Sequence, residues 1–322
     1  MRKTILVYFI LAVFALSGCQ SSSDEFLTFD EMATVTGASV NEQLTLGDFF
    51  AEDIAIIPED DNVGEDELLT AGASLFVNVT DQEIVYADHV YDKLYPASLS
   101  KLLTALVVLR YGELTDYVTI SYNASHITEP NAKVCGYKEG DIISLEALLN
   151  SLLVYSGNDA AIAIADHVGG SEEAFAEKMN DEARQIGAVH SNFVNSHGLH
   201  DDNQYSTAYD LYLIFNELMK FDTFRSIISS DSYIANYTDK DGNEKQKTLS
   251  TTNLYLNGGI EDDLSIEIIG GKTGTTNKAG NCLILLCKDN TGNEYIAQIL
   301  KAAGRDQLYS QMSHLLSKVT NE

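Results

Sequence analysis

Apolar positions change their pattern along the chain, and each pattern predicts a different kind of structure. Ile5 to Leu16 is a continuous apolar run. From 20 to 70 apolar residues are sparse, apart from Phe49, Phe50, Ile54, Ile56 and Ile57. Beyond Ala71 they become dense and periodic. Ser74–Val79 and Glu83–Tyr86 read as paired strands around a Thr80-Asp81-Gln82 turn. Helical spacing covers Ser98–Arg110, Ser144–Val154 and Asn158–Val168, with a break at Ser156-Gly157. Ser171–Ile186 is amphipathic, with Ser171 placed as N-cap and Glu172 and Glu173 in the first turn. Thr207–Met219 is another helix. The pattern then returns to strands at Ile266–Ile269, Leu283–Cys287 and Tyr295–Leu300. A closing helix, Asp306–Val319, carries Leu308, Met312, Leu315 and Val319 on one face. Strands at both ends with helices between predict an α+β fold: one sheet completed by both ends of the domain, with a helical insertion. No internal repeat is visible.

The first apolar run is too short to span a bilayer comfortably. It follows Arg2 and Lys3 and suits the hydrophobic region of a signal peptide. Leu16-Ser17-Gly18-Cys19 comes next and resembles the lipobox of bacterial lipoproteins, which implies cleavage before Cys19, its lipidation and export. The expected organisation is a signal peptide over 1–18, a lipidated acidic tether over 19–70 and a domain over 71–322. Residues 20–70 hold fourteen Asp and Glu and no Lys or Arg, which reads as a solvated, self-repelling tether. The apolar cluster around Ile54–Ile57 is too hydrophobic for a pure linker, so part of the segment is expected to dock on the domain.

Charge narrows the function classes. The chain of 322 residues carries 20 Lys+Arg against 48 Asp+Glu, a formal charge of −28, and loss of Arg2 and Lys3 takes it to −30. That counts strongly against a nucleic-acid binder, which needs a basic face. Four Cys are too few for a disulfide scaffold and lack zinc-ribbon spacing. Cys282 and Cys287 lie five apart in a strand, on opposite faces, so buried thiols are expected rather than a bridge.

Three short motifs carry the chemistry. Ser98-Leu99-Ser100-Lys101 is the chain's one S-x-x-K, Ser156-Gly157-Asn158 is an S-x-N, and Lys272-Thr273-Gly274 is a K-T-G followed by Thr275. In this order they match the set used by penicillin-binding proteins and class A β-lactamases. Ser98 opens a predicted helix with Lys101 one turn later on the same face. A serine hydroxyl needs a base to become a nucleophile, and an amine serves only when neutral. The apolar Leu102, Leu103, Ala105 and Leu106 favour the neutral amine by desolvation, and a nearby Lys272 would push the same way. A helix start also offers backbone N–H donors to a developing oxyanion. Ser156 and Asn158 flank a glycine at a helix break, where side chains project into a cleft. Lys272 follows Gly270-Gly271 at the end of an apolar strand, where a substrate backbone can lie close.

The flanking residues resemble one family closely. Pro96-Ala97-Ser98-Leu99-Ser100-Lys101-Leu102-Leu103-Thr104, Tyr155-Ser156-Gly157-Asn158-Asp159-Ala160-Ala161 and Phe193-Val194-Asn195-Ser196-His197-Gly198-Leu199 are similar to segments of serine D-alanyl-D-alanine carboxypeptidases, peptidase family S11. So is Tyr205-Ser206-Thr207-Ala208-Tyr209-Asp210-Leu211. The resemblance runs over roughly 70–320. It implies a DD-peptidase/β-lactamase-like fold, an antiparallel sheet flanked by helices with a helical subdomain and the site between them.

It also implies roles. Ser98 is the acylated nucleophile, Lys101 the general base and Ser156 a proton relay to the leaving group. Asn158 holds the substrate amide and helps position Lys101. Lys272, Thr273, Gly274 and Thr275 bind substrate, with Lys272 and Thr273 facing its terminal carboxylate. The backbone N–H groups of Ser98 and Thr275 form the oxyanion hole. The implied partners are a peptidoglycan stem peptide as substrate, β-lactams as inhibitors and a membrane reached through the Cys19 lipid, with no nucleic acid, cofactor or metal. Many members carry His where this chain has Thr275, and many add a C-terminal β domain and an amphipathic anchor with no counterpart in this sequence.

Other readings make different demands. A class A β-lactamase needs S-D-N and a downstream Glu, whereas position 157 is Gly and Asn192–Asn195 holds no Glu. A metal hydrolase would draw on His190, His197, His200, Asp201 and Asp202. A non-catalytic wall-binding lipoprotein would not need Ser98 and Lys101. A P-loop would need Gly at position 266, which is Ile.

Overall fold

The computed structural model describes residues 54–58, 66–260 and 265–319. The expected signal peptide, Cys19, most of the acidic segment, Phe49 and Phe50 lie outside the described residues. The chain enters through strands β1 (Ala73–Asn78) and β2 (Glu83–Asp88), then a 3-10 turn (Ala97–Leu99) and helix α1 (Ser100–Tyr111). Strand β3 (Tyr117–Thr119), helix α2 (Tyr122–Ser125), strand β4 (Ile142–Ser144) and helix α3 (Leu145–Asn150) follow. A π turn (Ser151–Tyr155) leads to α4 (Asn158–Gly169), α5 (Glu172–Gln185), α6 (Ala208–Leu218) and α7 (Asp222–Ile228). Strands β5 (Ser232–Thr238), β6 (Glu244–Ser250), β7 (Glu267–Thr276), β8 (Gly280–Lys288) and β9 (Glu294–Ala302) precede helix α8 (Arg305–Leu316).

Both ends of the domain meet in one antiparallel sheet ordered β2-β1-β9-β8-β7. Its strands are apolar on both faces because both are covered. Cys282, Ile284 and Leu286 of β8 point into the larger core with α1 and α6, while Leu283, Leu285 and Cys287 point into the core beneath α8. Cys282 and Cys287 therefore sit on opposite faces as free, buried thiols. Leu308, Met312 and Leu315 of α8 are buried on the sheet. Each such side chain contributes about 1.5–3 kcal/mol by leaving water. Ser144, Ser171 and Thr207 cap α3, α5 and α6, each accepting the N–H three residues on.

One feature departs from the sequence expectation. A second antiparallel sheet, β3-β4-β5-β6, joins the helical part. Its β5–β6 hairpin is mostly exposed, so burial imposes no strong alternation on its residues. The hairpin closes on Asp239, whose carboxylate accepts the N–H groups of Asp241 and Asn243. Part of the N-terminal segment packs on the domain, where its apolar cluster is expected to dock. Ala55 and Ile57 are buried, the Ala55 N–H donates to the Tyr212 hydroxyl at 3.0 Å, and Gln311 Oε1 accepts from the N–H groups of Thr70 and Ala71.

Candidate active site

The 3-10 turn that carries Ser98 is held in an unusual backbone shape. Ala97 has φ of +49°, a left-handed value that L residues avoid. Its carbonyl accepts from the Ser100 hydroxyl at 2.9 Å. The turn feeds α1, so Lys101 stands one residue into a regular helix and is wholly buried. Lys101 Nζ lies 3.1 Å from Ser98 Oγ and 2.7 Å from Asn158 Oδ1, and it also donates to the backbone carbonyl of His197. Burial pulls its pKa from 10.5 down to about 7. Lys133 pushes in the same direction.

The neighbours of this amine decide its direction of action. Asn158 Oδ1 and the His197 carbonyl can only accept, and a neutral amine has two hydrogens and one lone pair. Donating to both leaves the lone pair facing Ser98 Oγ, the neighbour that can give a proton.

Ser156 and Asn158 sit where the chain turns sharply between helices. The break is a π turn of five residues, not a simple kink, and it ends on Ser156 with φ of +69°. The carboxylate of Asp159 secures the elbow by accepting from the N–H groups of Cys135, Gly136 and Tyr137. The Asn158 N–H donates to the Lys133 carbonyl at 2.8 Å. Gly157 is required here, because a Cβ would stand 2.3 Å from Cys135 Sγ. Lys272 Nζ donates to Ser156 Oγ at 2.8 Å and to its neighbour's carbonyl at 3.0 Å. Lys272 is wholly buried. Burial, then the charges of Lys101 and Lys133, drive its pKa far down.

The K-T-G lies inside β7, which continues to Thr276 rather than stopping before Lys272. Apolar periodicity ends earlier because Lys272–Thr276 is polar while its backbone still pairs with Gly280–Ile284. Gly274 lets this edge strand lie against the nucleophile turn, since a Cβ there would be 3.1 Å from the Ser98 nitrogen. Ser98, Ser156, Thr273, Gly274 and Thr275 open on one cleft of about 710 Å³.

The structure gives supporting roles to residues outside the three catalytic motifs. The Asn195–Gly198 loop supports the base through a backbone carbonyl. Asn195 Oδ1 accepts from the Gly198 N–H, Gln204 Oε1 accepts from the Val194 and Asn195 N–H groups, and Thr104 Oγ1 donates to the Ser196 carbonyl at 2.6 Å. The His197 ring stays neutral: Nδ1 accepts from the Leu199 N–H, and burial lowers its pKa to about 3. His190 approaches Asp210 and His200 approaches Asp202, so the three imidazoles face different partners. Among the described residues, no group of three or more His, Cys, Asp and Glu is placed to hold a metal ion. Lys133, Arg305 and Tyr309 also line the cleft.

A family model described as D-alanyl-D-alanine carboxypeptidase, peptidase S11, matches residues 61–304. The chain belongs to that family. It is 28% identical over 255 residues to D-alanyl-D-alanine carboxypeptidase DacF of Bacillus subtilis, covering 76% of this chain and 61% of that protein. It is 30% identical over 271 residues to DacD of Escherichia coli, covering 80% of this chain and 64% of the relative. The chain thus spans less than two thirds of the length of these curated relatives. The Streptomyces K15 DD-transpeptidase superposes with a TM-score of 0.72 at 27% identity, over 78% of this chain and 97% of that one. The α+β DD-peptidase fold expected from the sequence is the fold observed.

Proposed function

We propose that this chain is an exported serine DD-carboxypeptidase that releases the terminal D-alanine from peptidoglycan stem peptides through a Ser98 acyl-enzyme. The observation that carries this reading is the buried Lys101 amine, 3.1 Å from Ser98 Oγ and within hydrogen-bond reach of two fixed acceptors, Asn158 Oδ1 and the His197 carbonyl.

Lys101 takes the proton as Ser98 Oγ attacks the penultimate D-alanine carbonyl. The carbonyl oxygen gains negative charge and turns toward the backbone N–H groups of Ser98 and Thr275. The C–N bond breaks as Ser156, held by Lys272, gives its hydroxyl proton to the departing amine and receives in its place the proton that Lys101 took from Ser98, which leaves Lys101 neutral again. Asn158 holds the substrate amide, and Thr273 with Lys272 meets the terminal carboxylate, aided by Arg305 at the same cleft. Water then adds to the ester, and cleavage returns Ser98. A β-lactam enters the same route, but its leaving group stays tethered. Cys19 lipidation would anchor the enzyme outside the cytoplasmic membrane; among the described residues no helix is long and apolar enough to cross one.

The deciding experiment is intact mass before and after benzylpenicillin. A stable gain equal to the drug, with D-alanine released from a D-Ala-D-Ala peptide, is expected. No adduct with intact drug would overturn the serine-acyl reading and favour a non-catalytic wall lipoprotein. No adduct with hydrolysed drug would favour a β-lactamase.

The acylation rate also has a predicted pH dependence. Only the neutral amine serves as base, and the Lys101 pKa is about 7. The neutral fraction rises with pH, so the acylation rate should climb about tenfold per unit below pH 7 and level off above it. Stopped-flow acylation between pH 5 and 9 checks this. A flat profile would remove Lys101 as the base.

A further inference from the structure

Three consecutive peptide groups behind the base are pinned by side chains from two helices. Glu172, in the first turn of α5, accepts from the Ser196 N–H through Oε1 at 2.6 Å. Thr104 of α1 donates to the Ser196 carbonyl, and Lys101 of α1 donates to the His197 carbonyl that follows. The imidazole points back to the same carboxylate. His197 Nδ1 accepts from the Leu199 N–H, so in the neutral ring the hydrogen sits on Nε2, and Nε2 stands 3.9 Å from Glu172 Oε1. One half-buried carboxylate thus faces both the ring of His197 and the N–H just before it, while the carbonyl of His197 orients Lys101.

Acylation turns Lys101 into an ammonium inside the protein, and its surroundings must then carry a charge. Lys133 opposes that charge, and Lys272 is a second buried amine close by. Cys135 is a thiol that burial keeps protonated, and the His197 ring is neutral. Two carboxylates favour the ammonium, Asp159 and Glu172. Asp159 accepts from the N–H groups of Cys135, Gly136, Tyr137 and Ala160, whose dipoles already answer much of its charge. Glu172 accepts from the Ser196 N–H, which leaves more of its charge to act on the amine. Burial pushes the Glu172 pKa up, the Ser196 N–H opposes this, and Asp166 and Glu173 add to the upward push.

We propose that Glu172 is a positioning residue for the base: its carboxylate holds the loop that presents the His197 carbonyl, and its negative charge stabilises the ammonium that Lys101 becomes during acylation. This rests on the acyl-transfer reading above. Glu172 acts through Lys101 and His197 and transfers no proton itself.

The test is stopped-flow benzylpenicillin acylation from pH 5 to 9 on wild type, Glu172→Gln and Glu172→Ala, with thermal melts beside it. Glutamine keeps an oxygen for the Ser196 N–H and removes the charge. The ammonium then lacks an opposite charge, the Lys101 pKa falls, and the rising limb of the rate profile moves to lower pH. At pH 6 the Glu172→Gln rate, as a fraction of its own plateau, should be about threefold above that of wild type. Glu172→Ala should show the same displacement and a plateau about tenfold below wild type, because the loop has lost its anchor as well. A Glu172→Gln limb at the wild-type position, or displaced to higher pH, would overturn the inference, since a merely structural Glu172 leaves the limb where it is. A Glu172→Ala plateau equal to that of wild type would overturn it too. A wild type that forms no penicillin adduct, or acylates at a rate independent of pH, would bring down the acyl-transfer reading or its base, and this inference with it.

Discussion

Ser98→Ala forms no benzylpenicillin adduct and releases no D-alanine, and Lys101→Met slows acylation by about 10²–10⁴-fold while Ser98 is intact. The first loss is absolute because the other oxygens beside Lys101 Nζ, Asn158 Oδ1 and the His197 carbonyl, are not hydroxyls and cannot become nucleophiles. The second isolates the base. Methionine fills the space of a wholly buried lysine and removes the lone pair. It also leaves Asn158 Oδ1 and the His197 carbonyl without their donor, so a stability loss of about 1–3 kcal/mol accompanies it. Thermal melts therefore belong beside the rate measurement. A folded Lys101→Met protein that acylates within about tenfold of wild type falls outside the range expected for losing a base, and would end that assignment.

Gly198→Ala is expected to damage both the fold and the chemistry, although residue 198 touches no substrate in the proposed mechanism. Its φ is +81°, and a Cβ there would stand 1.9 Å from the Ala97 carbonyl oxygen and 3.0 Å from the Ser98 nitrogen. That oxygen is backbone and cannot swing aside. The Asn195–Gly198 loop or the nucleophile turn must move, and the first carries the carbonyl that orients Lys101 while the second carries Ser98. Strain of this kind costs about 1–3 kcal/mol, which in a domain of this size lowers Tm by several degrees. Acylation should fall by about 10²-fold if the pair is displaced by about 1 Å. Melting and penicillin acylation measured together check this, and wild-type values for both would show that the contact yields cheaply.

Much of the architecture was legible because burial writes itself into periodicity. Helices α1, α4, α5 and α6 and the strands from the two ends of the domain follow the apolar spacing, and the Ser171 cap lies where its hydroxyl predicts. Strands β5 and β6 escaped because a mostly exposed hairpin leaves no such record. The π turn escaped because its residues are as apolar as the helix before it. The far half of β7 escaped because substrate-facing residues are polar while their backbone still pairs.

The candidate site divides along the same line. Sequence alone determined which chemistry-bearing side chains exist, their order and the one-turn spacing of Ser98 and Lys101, since these depend on residue type and local helix geometry. Only the tertiary structure decided that Lys272 reaches Ser156 across 116 positions. It alone also decided that a backbone carbonyl at His197 holds the base, and that Lys133 and Arg305 share a cleft. A carbonyl has no residue-type signature, and two distant cations become a pair only when the fold brings them together. The depressed pKa of Lys101 belongs to the fold as well, because it comes first from burial, which a local sequence can suggest but only packing supplies.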